Sequence, residues 1–254
     1  MHIQTVYTLA SVIIISLISL IGIVTFSIQE KKIKKYLLVL VSLSAGTLFG
    51  GALLHLLPEA VAKNGFTMQI GITALAGIVV FFVLEQLIHL HHHHHHEHPP
   101  FHGHQKPKHI GILNLFGDGV HNFLDGLIIA GSYMVSIPVG IATTIAVILH
   151  EVPQELADFG ILLYAGFSKG KAIFYNFISA TISIAGAVIG IFLGASNENF
   201  VQIILPFAAG GFIYIAGSTL IPELHKHCKF RKSLIYLAMM IVGILLMVGL
   251  KFIG

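Results

Sequence analysis

The sequence predicts an all-α, polytopic membrane protein of eight transmembrane helices. Three observations point there. The chain of 254 residues is 56% hydrophobic and only 10% charged, where a soluble domain carries about 25% charged residues; its mean hydropathy is +0.89. Its apolar residues gather into stretches of about 20, the length a helix needs to cross a hydrocarbon core of about 30 Å. Its basic residues fall on one side when those stretches are laid alternately across a bilayer.

In order, the stretches cover about residues 5–28, 36–57, 66–90, 111–134, 138–164, 172–194, 201–222 and 233–253. Short joints that are polar or contain Gly or Pro separate them. The exception is 91–110, a long joint rich in His and Pro that cannot build a core and is expected to be a flexible loop. The organisation is therefore spans 1–3 in residues 1–90, the loop in 91–110, and spans 4–8 in 111–254. Met1–Tyr7 holds no Lys or Arg and shows no cleavage site, so the first span is expected to stay in the mature chain. One cysteine, Cys228, excludes an intrachain disulfide and every multi-cysteine metal motif. A net charge of +3 gives no reason to expect nucleic acid as a partner.

Twelve of the fourteen basic residues sit in the joints after spans 1, 3, 5 and 7, among them Lys31, Lys106, Lys169 and Arg231. Only Lys63 and Lys251 lie opposite. The positive-inside rule then places those joints, including the 91–110 loop, in the cytoplasm and both termini outside. A prokaryotic cytoplasmic membrane is the expected location, from the short joints. A weaker pattern hints at an inverted repeat. Span 2 has Gly50-Gly51 and ends His55-Leu-Leu-Pro58-Glu59; span 7 has Gly210-Gly211 and ends Leu220-Ile221-Pro222-Glu223, with a spacing one helical turn different.

The chemistry is concentrated in spans 4 and 5. An ionised group near a bilayer centre costs about 2.5–3.5 kcal/mol on insertion scales. Yet Asp118, Asp125, Glu151, Glu155 and Asp158, five of only 11 acidic residues, fall in or beside these two spans. Residues four apart share a helix face. His121 lies four before Asp125 with Asn122 beside it, His150 lies four before Gln154, and Glu151 four before Glu155. Two facing helices thus offer imidazoles, carboxylates and amide oxygens, a mixture suited to a first-row divalent cation held within the membrane. Pro153 lacks an N–H, so the carbonyl of Leu149 loses its intrahelical partner and must be satisfied in another way. His55 with Glu59, near the outer end of span 2, reads either as an entrance site or as an interfacial pair. The eleven histidines within residues 89–109 suit metal capture or sensing, with a solubilising spacer as the plain alternative.

These motifs resemble those of the ZIP family of divalent metal transporters. His121-Asn122-x-x-Asp125-Gly126 matches the family's span 4 pattern. His150-Glu151-x-Pro153-x-Glu155, continued by Leu156-Ala157-Asp158, matches the span 5 pattern of its branch with a His-rich loop. The resemblance covers essentially the whole chain and implies a ZIP-like bundle with an intramembrane, binuclear site. One metal would take His121, His150 and Gln154, and the other Asn122, Asp125 and Glu151, with residue 154 able to bridge; Glu155, Asp158, His55 and Glu59 stand as supporting or pathway residues. It also implies movement of metal into the cytoplasm, a homodimer in the lipid bilayer, and an elevator-like motion of spans 1, 4, 5 and 6 against 2, 3, 7 and 8. The metal is transported substrate, zinc first, then iron, manganese or cadmium; no cofactor and no enzymatic activity are expected. Gln154 departs from the family pattern, where many members carry His, and span 6 has no acid.

Two other readings compete. An intramembrane metalloprotease pairs His-Glu-x-x-His with Leu-Asp-Gly; this chain has Leu124-Asp125-Gly126, but the fifth position of the other motif is Gln154, Pro153 interrupts it, and the order is reversed. A metal sensor would use the His-rich loop without transport.

Overall fold

The computed structural model describes residues 2–26, 30–62, 65–89, 108–197, 199–225 and 230–253, and every regular element among them is a helix. The His-rich stretch lies outside the described residues up to 107; its last residues open the span 4 helix, which begins at Lys108. Span 1 is His2–Ile18 continued by a 3₁₀ segment, Ser19–Phe26. Span 2 is Glu30–Gly50, a π turn Gly51–Leu56, and Leu57–Val61. Span 3 is Met68–His89, span 4 Lys108–Val135 and span 5 Ile137–Tyr164. Span 6, expected as one helix, is two: Lys169–Ala180 and Ile182–Ser196. Span 7 is Asn199–Tyr214, a second π turn Ile215–Leu220, and Ile221–His225; span 8 is Phe230–Ile253.

Seven of these are long and apolar enough to cross a membrane by length and composition. The eighth, span 4, is 28 residues long but carries Asn114, Asp118, His121, Asn122 and Asp125. It crosses nonetheless, because helix directions require it. Span 6 runs parallel to span 4: Gly126 abuts Ser183 and Ala187, and Gly190 abuts Ala130. Spans 4 and 5 run antiparallel, with Asn114 beside Asp158 and His121 beside His150.

The spans pack in two groups. Spans 1, 4, 5 and 6 pack on one another, as do 2, 3, 7 and 8, with span 2 against span 5 as a main contact between groups. Within each group, pairs of helices cross backbone to backbone. A Cβ at Gly126 would lie 2.0 Å from the Ser183 carbonyl oxygen, and one at Gly186 2.0 Å from that of Phe123. Gly46 meets Met240 while Gly243 meets Leu43, and Gly77 meets Phe207 while Gly210 meets Ala74, in the same reciprocal way. Between the groups, Gly51 and Gly131 meet side chains, of Ala146 and Ile204, rather than carbonyls. Close helix approach through small residues is the usual way membrane helices gain packing energy.

The crossings also resolve the repeat. Gly210 is matched not by Gly50 but by Gly46, each making a carbonyl crossing. From that register Pro58 corresponds to Pro222 and Glu59 to Glu223, and the π turns start at corresponding positions, Gly51 and Ile215. A π turn suits a following proline. Its i→i+5 register lets carbonyls reach past the missing N–H, as when the Leu57 N–H bonds the Ala52 carbonyl and that of Ile221 bonds Ala216.

Candidate metal site

The face of span 4 that carries Asn114, Asp118, His121, Asn122 and Asp125 turns inward, towards the face of span 5 that carries His150, Glu151, Glu155 and Asp158; all nine residues are buried. Four of them converge. His121 Nε2 lies 3.2 Å from His150 Nε2, 3.7 Å from Asp125 Oδ2 and 3.4 Å from Glu151 Oε1. His150 Nε2 lies 3.3 Å from Asp125 Oδ2 and 3.5 Å from Glu151 Oε1. Ligand atoms about 2 Å from a tetrahedral zinc lie about 3.3 Å apart, so these five separations are of the size a zinc bound by imidazole nitrogen and carboxylate oxygen would need. Two neutral imidazoles and two carboxylates also balance a divalent charge.

The orientation of His150 is fixed from behind. Its Nδ1 is 3.1 Å from the Ala146 carbonyl, which can only accept, so Nδ1 carries the proton and Nε2 offers its lone pair to the centre. The opposite group supplies the walls. Phe81 of span 3 meets the His121 ring edge-on at 5.4 Å between centroids, and Phe212 of span 7 lies 6.0 Å from the His150 ring.

A second set of oxygens adjoins the first. Ligand atoms of Asp118, Glu151 and Glu155 also lie within 4.8 Å of one another, so Glu151 belongs to both sets. Asn122 donates to Asp118 Oδ1 at 2.9 Å, and Gln154, half-buried, points its amide nitrogen at the same oxygen from 3.5 Å. Asn176 of span 6 donates to Glu155 Oε2, and Asn114 donates to Asp158 Oδ1 at 2.9 Å. The geometry thus groups Asp125 with the two imidazoles and sets Gln154 and Asn122 beside Asp118.

Ten buried side-chain atoms among the described residues have no hydrogen-bond partner. All are oxygens, on Asn114, Asp118, Asn122, Asp125, Glu151, Glu155, Asp158 and Asn176. A buried orphan acceptor costs about 1–3 kcal/mol. Ten of them gathered in spans 4, 5 and 6, with no orphan donor, form a place built for cations.

A family model described as the ZIP zinc transporter matches residues 3–109 and 91–251. The chain belongs to this family. ZIP relatives include the zinc transporter zipt-7.1 of Caenorhabditis briggsae, 32% identical over 82% of this chain and 69% of that one. The zinc transporter ZIP13 homolog of Drosophila melanogaster is 29% identical over 95% of this chain and 87% of its own. The zinc transporter YKE4 of Saccharomyces cerevisiae is 31% identical over 82% and 69%. These ZIP proteins come from eukaryotes, so they lend no support to the expected prokaryotic membrane; integral membrane location stands.

Against the ZIP motifs, the structure adds Asp118, Asn114 and Asn176. Asp118 was visible as an acid seven residues before Asp125 on one helix face, but its tie to Asn122 and Gln154 was not. His55 Nε2 bonds the Met247 carbonyl at 2.9 Å, and Glu59 pairs with Lys251 at 3.3 Å. Both side chains therefore fasten span 2 to span 8.

Proposed function

We propose that this protein carries divalent transition-metal ions across its membrane into the cytoplasm, with zinc the foremost cargo and iron(II), manganese and cadmium as further substrates. The observation that carries this reading is the convergence of His121, Asp125, His150 and Glu151 on one point inside a membrane bundle. The zinc-transporter names of its relatives support it. A second position at Asp118, Glu151 and Glu155, with Asn122 and Gln154 alongside, makes the centre binuclear. Oxygen ligands hold zinc less tightly than imidazole does, so an ion passing from the first set to the second, and on towards Asp158, steps down in affinity. If the basic joints are cytoplasmic, that order leads inward. The two packing groups support translocation by sliding of spans 1, 4, 5 and 6 on the other four. The test is zinc uptake by purified protein in proteoliposomes, with iron(II), manganese and cadmium as competitors. Absence of protein-dependent accumulation would overturn it.

Glu151 stands in the ligand set rather than beside it as a free base, which argues against a protease. A proteolysis assay run alongside is expected to show none.

Gln154→His places an imidazole next to Asp118. It is expected to raise apparent affinity for zinc relative to manganese by about three- to tenfold, since imidazole suits zinc and amide oxygen suits harder ions. Maximum rate should fall, because an ion held more tightly leaves more slowly. Paired uptake curves check this; an unchanged zinc-to-manganese ratio removes Gln154 from the ion's surroundings.

Deleting His91–His104 is expected to preserve zinc transport and to alter its response to metal on the cytoplasmic side. The segment lies between spans and cannot form the path. Complete loss of transport in a folded deletion would contradict this, and so would retention of metal binding with no transport by the intact protein, the sensor's signature.

A further inference from the structure

Pro153 lies inside the span 5 helix, and four residues before it the Leu149 carbonyl has no helical N–H to meet. The structure supplies a replacement from the other packing group: Ser44 Oγ of span 2 donates to the Leu149 carbonyl. Ser44 is fully buried. Its hydroxyl also lies 2.8 Å from the Leu40 carbonyl of its own helix, but that carbonyl already has a helical partner, so the single proton is needed at Leu149. Leu149 is the residue immediately before His150, whose Nε2 enters the four-atom cluster.

We infer that Ser44 is a positioning residue for the metal site: by satisfying the carbonyl that Pro153 leaves open, it holds the turn from which His150 projects. The hydrogen bond bridges the two groups of helices beside small and apolar side chains such as Ala52, Ala146 and Phe212. The site's geometry is therefore set in part from outside the helices that carry its ligands. Motion of one group past the other would break this bond and release both the carbonyl and the turn. The inference rests on reading spans 4 and 5 as the cargo site.

A double-mutant cycle tests it. In Pro153→Ala, residue 153 regains an N–H and Leu149 regains a helical partner, so Ser44 has nothing left to satisfy. Purified protein is titrated with zinc, and both the metal-free melting temperature and the zinc concentration at half-maximal thermal shift are read. Ser44→Ala is expected to weaken apparent zinc affinity by about fivefold or more, the scale of losing one buried hydrogen bond. In the Pro153→Ala background the same change should be within about twofold. Ser44→Cys, which has a somewhat larger side chain but donates weakly, should behave as Ser44→Ala. Equal losses in both backgrounds, or a Ser44→Cys protein like wild type, overturn the inference. A drop in metal-free melting temperature with unchanged zinc affinity also overturns it, leaving Ser44 a packing residue. His150→Ala is included as a reference. If it binds zinc as wild type does, the site reading itself has failed, whatever the cycle shows.

Discussion

His150→Ala is expected to reduce zinc uptake to below about 5% of wild type while leaving the protein folded and in the membrane. Its Nε2 lies within 3.5 Å of three other ligand atoms, from His121, Asp125 and Glu151. Removing it leaves two carboxylates and one imidazole, too few to hold zinc in its preferred four-coordinate geometry. Apart from the ligand atoms it faces, the fold loses a bond to the Ala146 carbonyl and packing against Phe212. Asp125→Ala should do the same, because its carboxylate is fully buried and both its oxygens lack hydrogen-bond partners. The measurement is radiolabelled zinc uptake at matched protein density, with size-exclusion profiles to confirm folding. Wild-type uptake by either folded variant would remove the cargo site from spans 4 and 5.

Gly126→Val should act on the fold rather than on the chemistry. Its Cβ would sit 2.0 Å from the Ser183 carbonyl oxygen and 2.7 Å from the Ala187 nitrogen, both backbone atoms that no rotamer change can move aside. Spans 4 and 6 must then part along their crossing. Overpacking of this kind costs about 3 kcal/mol or more. Little folded protein is expected, read by yield and melting temperature after extraction. Gly249→Ala is the control, since nothing lies within 4 Å of a Cβ there and no change is expected. A Gly126→Val protein as stable as wild type would mean that the span 4 and span 6 backbones are not in contact.

Much of this molecule was legible in the sequence because the bilayer imposes strict terms. Its thickness sets the length of a span, and its low polarity makes each intramembrane acid conspicuous; hence His121, Asp125, His150 and Glu151 stood out before any coordinates. The span 4 helix shows the limit of hydropathy alone, since the polar residues that make the site also dilute its apolar character. What stayed hidden depends on which helix faces which. Four-residue spacing places Asp118 and Gln154 on faces but does not say that they meet each other. The open Leu149 carbonyl follows from Pro153; its partner, Ser44, lies 105 residues away. The repeat was misaligned by one turn because Gly50-Gly51 looks like Gly210-Gly211, whereas the glycine that makes the equivalent carbonyl crossing is Gly46. The residues 90–107 lie outside the described structure, so the His-rich loop remains an expectation from composition.

The matched crossings of span 2 on span 8 and span 7 on span 3 bear on the direction of flow. If spans 1, 4, 5 and 6 slide as proposed, a support whose two halves repeat one another upside down offers them much the same landing place at either face. The two end positions then differ little in energy, and neither is a built-in resting state. On that reading the support itself adds no heading, and the step down in ligand strength from His121 and His150 towards Asp158 is what would favour release on one side. For a carrier driven by its cargo alone, net movement would then follow whichever compartment holds the ion at higher chemical potential. The support departs from symmetry at its ends: His55, Glu59 and Lys251 fasten one, while Glu85, Tyr214 and Thr219 fasten the other through hydroxyl groups on a carboxylate.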